Sequence, residues 1–120
     1  MSKILFLTTG HFYNDDRIFY HQAKSLVKRG HHVKVCSLSS NFKGILGGIE
    51  VEAKNILSVA VNTKFRFFNK VCEDFQPDCI IASEPLAVLA GHKFLRRSNK
   101  PVIYDITEWY PSQRMLKRCH

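Results

Sequence analysis

Polar and titratable side chains that could act on a ligand follow three strands predicted from this sequence, each close to the point where the strand ends. The candidate site residues are Gly10, His11, Arg17, Ser83, Glu84, Thr107 and Glu108. Ligands of open α/β sheets bind outside the carboxyl ends of the strands. We therefore expect these residues to lie at or beside one site.

Each candidate has a chemical use and a structural alternative. A neutral His11 imidazole could take a proton from a hydroxyl group, or it could be an ordinary exposed loop residue. The Glu84 carboxylate could bind ligand hydroxyls or cap the third helix. Arg17 could bind a phosphate or a sugar carboxylate, or it could pair with Asp15 or Asp16, which can cap the first helix. The residues alone leave these alternatives open.

Several other chemistries lack their motif in this sequence. Gly10 stands alone where a dinucleotide site needs GxGxxG, and a Walker-type phosphate loop is missing. Ser83 does not lie in a GxSxG elbow, so a hydrolase nucleophile is unsupported. The histidines show neither HxxxH nor HxH spacing, so we expect no metal site. A response-regulator site would need a Lys at the end of the fifth strand, where the sequence has Thr107.

The elements that position these residues alternate between strands and helices. Strands are predicted at 3–9, 32–38, 49–54, 78–82 and 101–106. Helices are predicted from Asp16 to the stop at Gly30, along the apolar stripe at 65–75, and from Pro85 onward. Residues 39–48 are polar and Gly-rich, which favours a loop. This order predicts a Rossmann-like, doubly wound α/β fold with five parallel strands in the order 3-2-1-4-5 and helices on both faces.

The composition is typical of one globular domain. The 120 residues include 18 basic and 10 acidic residues, which gives a net charge of +8. No apolar run is long enough to span a membrane, and no signal pattern precedes the first strand. The cysteines form no CxxC pair, so we expect free thiols and a cytoplasmic protein. These cysteines are Cys36, Cys72, Cys79 and Cys119.

Basic and aromatic residues alternate in the stretch KFRFFNK at 64–70. Such alternation can serve single-stranded nucleic acid or an anionic membrane surface. Because Phe65 and Phe68 belong to the apolar stripe of the second helix, we favour an amphipathic helix with a basic face. Peripheral membrane contact, at the inner face of the membrane, is the second interpretation. The sequence lacks an RNP signature, and we expect no nucleic-acid partner.

Four short stretches, taken in order, are similar to one enzyme family. They are DRI at 16–18 with AKSL at 23–26, GHHV at 30–33, PDCIIASEP at 77–85, and PVIYDITE at 101–108 followed by YP at 110–111. With these stretches the sequence resembles the N-terminal domain of the retaining, GT-B-fold glycosyltransferases of family 4, also called group 1. The resemblance extends over nearly the whole chain.

The resemblance implies a two-domain enzyme with its active site in the cleft between the domains. The N-terminal domain would bind a saccharide or lipid-linked acceptor, and a C-terminal domain would bind a UDP- or GDP-sugar. No metal or other cofactor is implied for this chain. We therefore expect residues 1–120 to be a single, truncated acceptor domain, inactive alone, from an enzyme of polysaccharide or glycolipid synthesis. The alternative is a stand-alone interaction module, such as the acceptor subunit of a split transferase that binds a separate donor subunit.

The sequence departs from the family pattern at two of the candidate residues. Ser83 and Thr107 stand where the family commonly has His at the ends of the fourth and fifth strands. The first loop also lacks the Gly-Gly pair of many members. These departures are consistent with an unusual acceptor or a degenerate enzyme.

Overall fold

The computed structural model contains six strands and three helices within the residues that it describes, which are 2–8, 17–39, 41–82, 85–96 and 100–104. At 17–20 and 104 only the backbone is described. The strands are β1 Lys3–Thr8, β2 His32–Ser37, β3 Phe42–Leu46, β4 Ile49–Ala53, β5 Cys79–Ala82 and β6 Val102–Tyr104. The helices are α1 Arg17–Lys28, α2 Val61–Phe75 and α3 Pro85–Leu95. None of these three helices has the length and apolarity needed to cross a membrane.

The unbroken apolar sequence of β1 places this strand inside the sheet. Its residues from Ile4 to Thr8 are all buried, as expected for a parallel strand that is covered on both faces. The strand order is β3-β4-β2-β1-β5-β6, and β1 pairs in parallel with both β2 and β5. The five strands predicted from the sequence correspond to β1, β2, β4, β5 and β6. Their predicted order is confirmed.

The prediction of a loop over 39–48 was wrong, because Phe42–Leu46 forms β3, which pairs antiparallel with β4. Gly47 and Gly48 connect the two strands with φ of 58° and 83°. Two central residues with positive φ are typical of the type I′ turn, whose twist suits a tight β-hairpin. Leu46 and Ile49 are consequently paired directly across the turn. The glycines that suggested a loop are the turn of a hairpin.

The helices cover the two faces of the sheet unequally. α1 packs on the face that carries Ile4, Phe6, Val33 and Val35. The other face packs against both α2 and α3, and its cluster contains Leu5, Leu7, Cys36, Phe68, Val71, Cys72, Phe75 and Ile80. Among the residues whose side chains are described, most of the apolar core is therefore on the side of α2 and α3.

The ends of α1 and α2 follow from local chemistry. Gly30 has φ of 91°, its N–H donates to the Val27 carbonyl, and the His31 N–H donates to the Leu26 carbonyl. This pair of hydrogen bonds is a Schellman motif, so the predicted stop at Gly30 is confirmed. α2 ends at Phe75, before Pro77, and Gln76 takes the left-handed conformation. The predicted caps of α1, Asp15 and Asp16, lie outside the described residues.

Candidate functional site

Three neighbouring strands end at the edge of the sheet where the sequence predicts a site. β1 ends at Thr8, β5 at Ala82 and β6 at Tyr104. The register pairs Leu7 with Ala82 and Ala82 with Tyr104, and both ladders are parallel. Because adjacent strands are about 4.8 Å apart, the chain leaves the sheet at three neighbouring points of one edge. Successive strands are added on one side of β1 up to β4 and on its other side from β5 onward, so this edge includes the switch point of the sheet.

The candidate residues themselves follow these three strand ends. Gly10, His11, Ser83, Glu84, Thr107 and Glu108 all lie outside the described residues. Arg17 begins α1, but its side chain is also outside the description. Their mutual contacts stay a prediction. What the structure supplies is the strand topology to which the loops at 9–16, 83–84 and 105–111 are attached.

Two buried hydroxyl groups at this edge were missed by sequence reasoning. Thr8 and Ser37 end β1 and β2, are register partners, and have no exposed surface. The Ser37 and Ser39 hydroxyls lie 3.0 Å apart, and the Ser39 N–H donates to Ser37 Oγ. For Thr8, a polar residue at the end of a mostly apolar strand was the signal that could have found it. The Ser37 hydroxyl therefore stabilises the backbone where the chain leaves β2.

The described cysteines are structural. Cys36, Cys72 and Cys79 are free thiols, as predicted, whereas Cys119 lies outside the described residues. Burial raises the pKa of Cys36 well above its usual range, and it raises the pKa of Cys72 to about 12. Burial also raises the pKa of Cys79. All three thiols are protonated at neutral pH and cannot serve as thiolate nucleophiles. Within the described ranges no cluster of His, Cys, Asp or Glu is suited to a metal ion.

At the opposite edge of the sheet, Asp78 joins the starts of β1 and β5. Its Oδ2 accepts from the Lys3 N–H at 2.9 Å, and the Asp78 N–H donates to the Lys3 carbonyl at 2.7 Å. Lys100 Nζ lies 3.3 Å from Asp78 Oδ1. The Lys3 hydrogen bond, followed by the Lys100 contact, holds the pKa of Asp78 below its usual range. The Asp of the PDCIIASEP stretch is therefore structural and far from the candidate site.

Comparison of the sequence with protein-family models gives no match, and no curated protein matches it significantly. Two solved structures share its fold. The enzyme WbmH of Bordetella bronchiseptica, in complex with NAD+, matches 82% of this chain and 36% of its own chain, with 16% identity and a TM-score of 0.53. The calicheamicin glycosyltransferase CalG4 matches 98% of this chain and 36% of its own, with 13% identity and a TM-score of 0.55.

These similarities concern the fold. The chain has a mostly parallel, Rossmann-like α/β sheet of the kind found in a glycosyltransferase. It spans about a third of the length of each of the two matched structures. At identities of 13% and 16% the sequences carry no residue-level correspondence.

Proposed function

We propose that this chain is the acceptor-binding N-terminal domain of a nucleotide-sugar-dependent glycosyltransferase, of the GT-B, retaining, family 4 type. The main support is the fold shared with CalG4, in which nearly all of this chain matches about a third of a glycosyltransferase. The order of the four family-like sequence stretches supports the same proposal. The complete enzyme would act in polysaccharide or glycolipid synthesis in the cytoplasm, with peripheral contact to the membrane that holds a lipid-linked acceptor.

The strand topology suits a domain that holds an acceptor. Thr8, Ala82 and Tyr104 end three adjacent parallel strands, so the loops that carry the candidate residues begin side by side. In the proposal, His11 and Glu84 hydrogen-bond the hydroxyl groups of a saccharide acceptor. Gly10, Arg17, Ser83, Thr107 and Glu108 line the same cleft. A donor domain, or a separate donor subunit, brings the UDP- or GDP-sugar to it.

Substitution of His11 and Glu84 tests the proposed site. In the complete enzyme, His11→Ala and Glu84→Ala should each lower the rate of transfer from a UDP- or GDP-hexose about tenfold, because each removes a hydrogen bond to the acceptor. The circular dichroism spectrum should not change. His21→Ala on α1 and Asp74→Ala on α2 are matched controls at exposed positions and should keep full activity. Wild-type rates in both site variants would contradict the assignment.

The need for a donor domain is tested with the chain by itself. The purified 120 residues should show no transfer from any nucleotide sugar, because in the proposal a separate domain or subunit binds the donor. Detectable turnover would refute this part of the proposal. The alternative, an acceptor subunit of a split transferase, would instead yield activity when a separate donor subunit is added.

A nicotinamide role, suggested by the NAD+ in the WbmH structure, is not supported by this sequence. Gly10 is the single glycine between β1 and α1, where the dinucleotide fingerprint has three. The glycines of that fingerprint allow the backbone to approach the pyrophosphate. We therefore propose no NAD-dependent step for this chain.

A further inference from the structure

A groove with a basic lining lies between α2 and α3. Its volume is about 380 Å³. The residues that line it are Phe65, Arg66, Asn69, Ala90, Lys93 and Arg96. The three basic side chains are exposed, and none of the lining residues is acidic. The stretch at 64–70, in which basic and aromatic residues alternate, contributes half of this lining.

Within the described part of the chain, no ion pair joins a basic side chain of the groove to an acidic one, and the Glu73 carboxylate accepts a hydrogen bond from the groove residue Asn69 at 3.0 Å. There the ion pairs are His32–Glu50, Lys34–Glu52 and Lys100–Asp78, and none of them involves a groove residue. Lys93 Nζ instead lies 5.7 Å from the centroid of the Phe65 ring, a cation–π distance. Like charges gathered in one groove repel each other, so an anion bound among them would stabilise the fold.

A neighbouring groove extends the basic surface along α2. Arg66 lines both grooves, and the second also contains Lys54, Phe67 and Lys70. Lys54 Nζ lies 6.0 Å from the centroid of the Phe67 ring. The acidic residue of this second groove, Glu52, is paired with Lys34 at 3.0 Å. The basic surface therefore spans both grooves.

We propose that the groove between α2 and α3 binds a phosphoryl group. Two arginines and one lysine line a pocket of about 380 Å³, and a guanidinium group can pair with phosphate through two parallel hydrogen bonds. The phosphoryl group belongs either to a soluble phosphorylated compound or to an anionic phospholipid headgroup. This proposal does not rest on the proposed function, because the groove is formed by helices and not by the strand ends.

Inorganic pyrophosphate is the probe for the soluble source. Isothermal titration compares the wild-type chain with the variant R66Q/K93Q/R96Q, for which we expect at least about tenfold weaker binding. The matched control is K28Q/R29Q/K43Q, which removes the same net charge from exposed positions on α1, just after it, and on β3. The control should bind pyrophosphate as the wild type does.

Vesicles of phosphatidylcholine and phosphatidylglycerol are the probe for the lipid source. Each basic side chain near an anionic surface strengthens binding about fivefold, so the groove variant should lose on the order of a hundredfold in cosedimentation. The exposed aliphatic residues Leu57, Val59 and Val61 lie just before and at the start of α2. Their substitution by Ser should weaken vesicle binding and spare pyrophosphate binding if the source is lipid. If these Ser substitutions leave vesicle binding unchanged, the phosphoryl group is assigned to a soluble phosphorylated compound.

The results that would overturn the proposal are distinct. One is a wild-type chain that binds neither pyrophosphate nor anionic vesicles. Another is an equal loss of binding in the groove variant and in the charge-matched control. Binding of single-stranded RNA with no binding of either phosphate probe would replace the proposal by a nucleic-acid surface.

Discussion

The ion pair between Lys34 and Glu52 allows a quantitative test of the structure. Lys34 Nζ donates to Glu52 Oε1 at 3.0 Å, and the two side chains are only 11% and 16% exposed. Lys34 Nζ also lies 5.9 Å from the centroid of the Phe75 ring, so the ammonium group is covered by α2. Removal of either charge leaves its partner buried and unpaired. Removal of both charges leaves no buried, unpaired charge.

The single and the double substitutions should differ in their free energy of unfolding by an amount that can be measured. At 3.0 Å and an effective dielectric constant of about 20, the attraction is about 5 kcal/mol, which is largely cancelled by the desolvation of both groups. Loss of one partner from a fully buried pair costs about 3–5 kcal/mol, and we take about 2 kcal/mol here because some solvent reaches both side chains. Lys34→Met and Glu52→Leu should each lower the free energy of unfolding by that amount. The double variant should lie within about 1 kcal/mol of the wild type.

Urea denaturation followed by circular dichroism measures this cycle. With a slope of about 1–3 kcal/mol per M, each single substitution should lower the midpoint by about 1 M. The control is Glu50→Leu in the more exposed His32–Glu50 pair, where we expect a change below about 1 kcal/mol. If the cost in the double variant equals the sum of the two single costs, the two charges are not coupled and the described pair is wrong.

Two further predictions concern titratable groups. Because the Lys3 hydrogen bond and the Lys100 contact lower the pKa of Asp78, its stabilising effect is present above about pH 4 and is lost as the pH falls through the lowered value. Thermal melts of Asp78→Asn should therefore show a weaker loss of stability in acid than the wild type, and identical acid profiles would contradict this. The thiol of Cys72, whose pKa is raised to about 12, should resist iodoacetamide at pH 8 until urea unfolds the chain. Rapid labelling of the folded protein, read by mass spectrometry, would contradict the burial of this thiol.

The parallel sheet was predictable because its strands and helix ends carry strong local signals. β1 is a short, mostly apolar run that follows the pattern of a strand buried on both faces. Gly30 has a positive φ that other residues rarely adopt, so it marks the end of α1. The start of α2 carries no such signal, since Ala60 is its N-cap and makes no side-chain cap hydrogen bond. The apolar stripe therefore indicated the helix only from Phe65 onward.

The candidate site was less predictable because its residues lie on loops, where local patterns are weak. His11, Glu84 and Thr107 were selected by residue type and by the strand ends that they follow. The structure confirms the arrangement of those strands and leaves the side-chain contacts as predictions. Thr8 and Ser37 were missed because both were predicted as ordinary strand residues, within 3–9 and 32–38. Asp78 was noticed as part of a motif, but only its contact with Lys3, 75 positions away, reveals its structural role.

The hairpin formed by β3 and β4 also determines how the sheet ends. A strand at the edge of a sheet presents unpaired backbone groups, which can recruit a strand from another molecule and lead to aggregation. β3 has only five residues, and Lys43 and Gly44 lie near its middle. A short strand, a charged side chain and a glycine all disfavour continued strand pairing. The tight turn thus places a short antiparallel strand at this edge of the parallel sheet, and that strand disfavours polymerisation through further strand pairing.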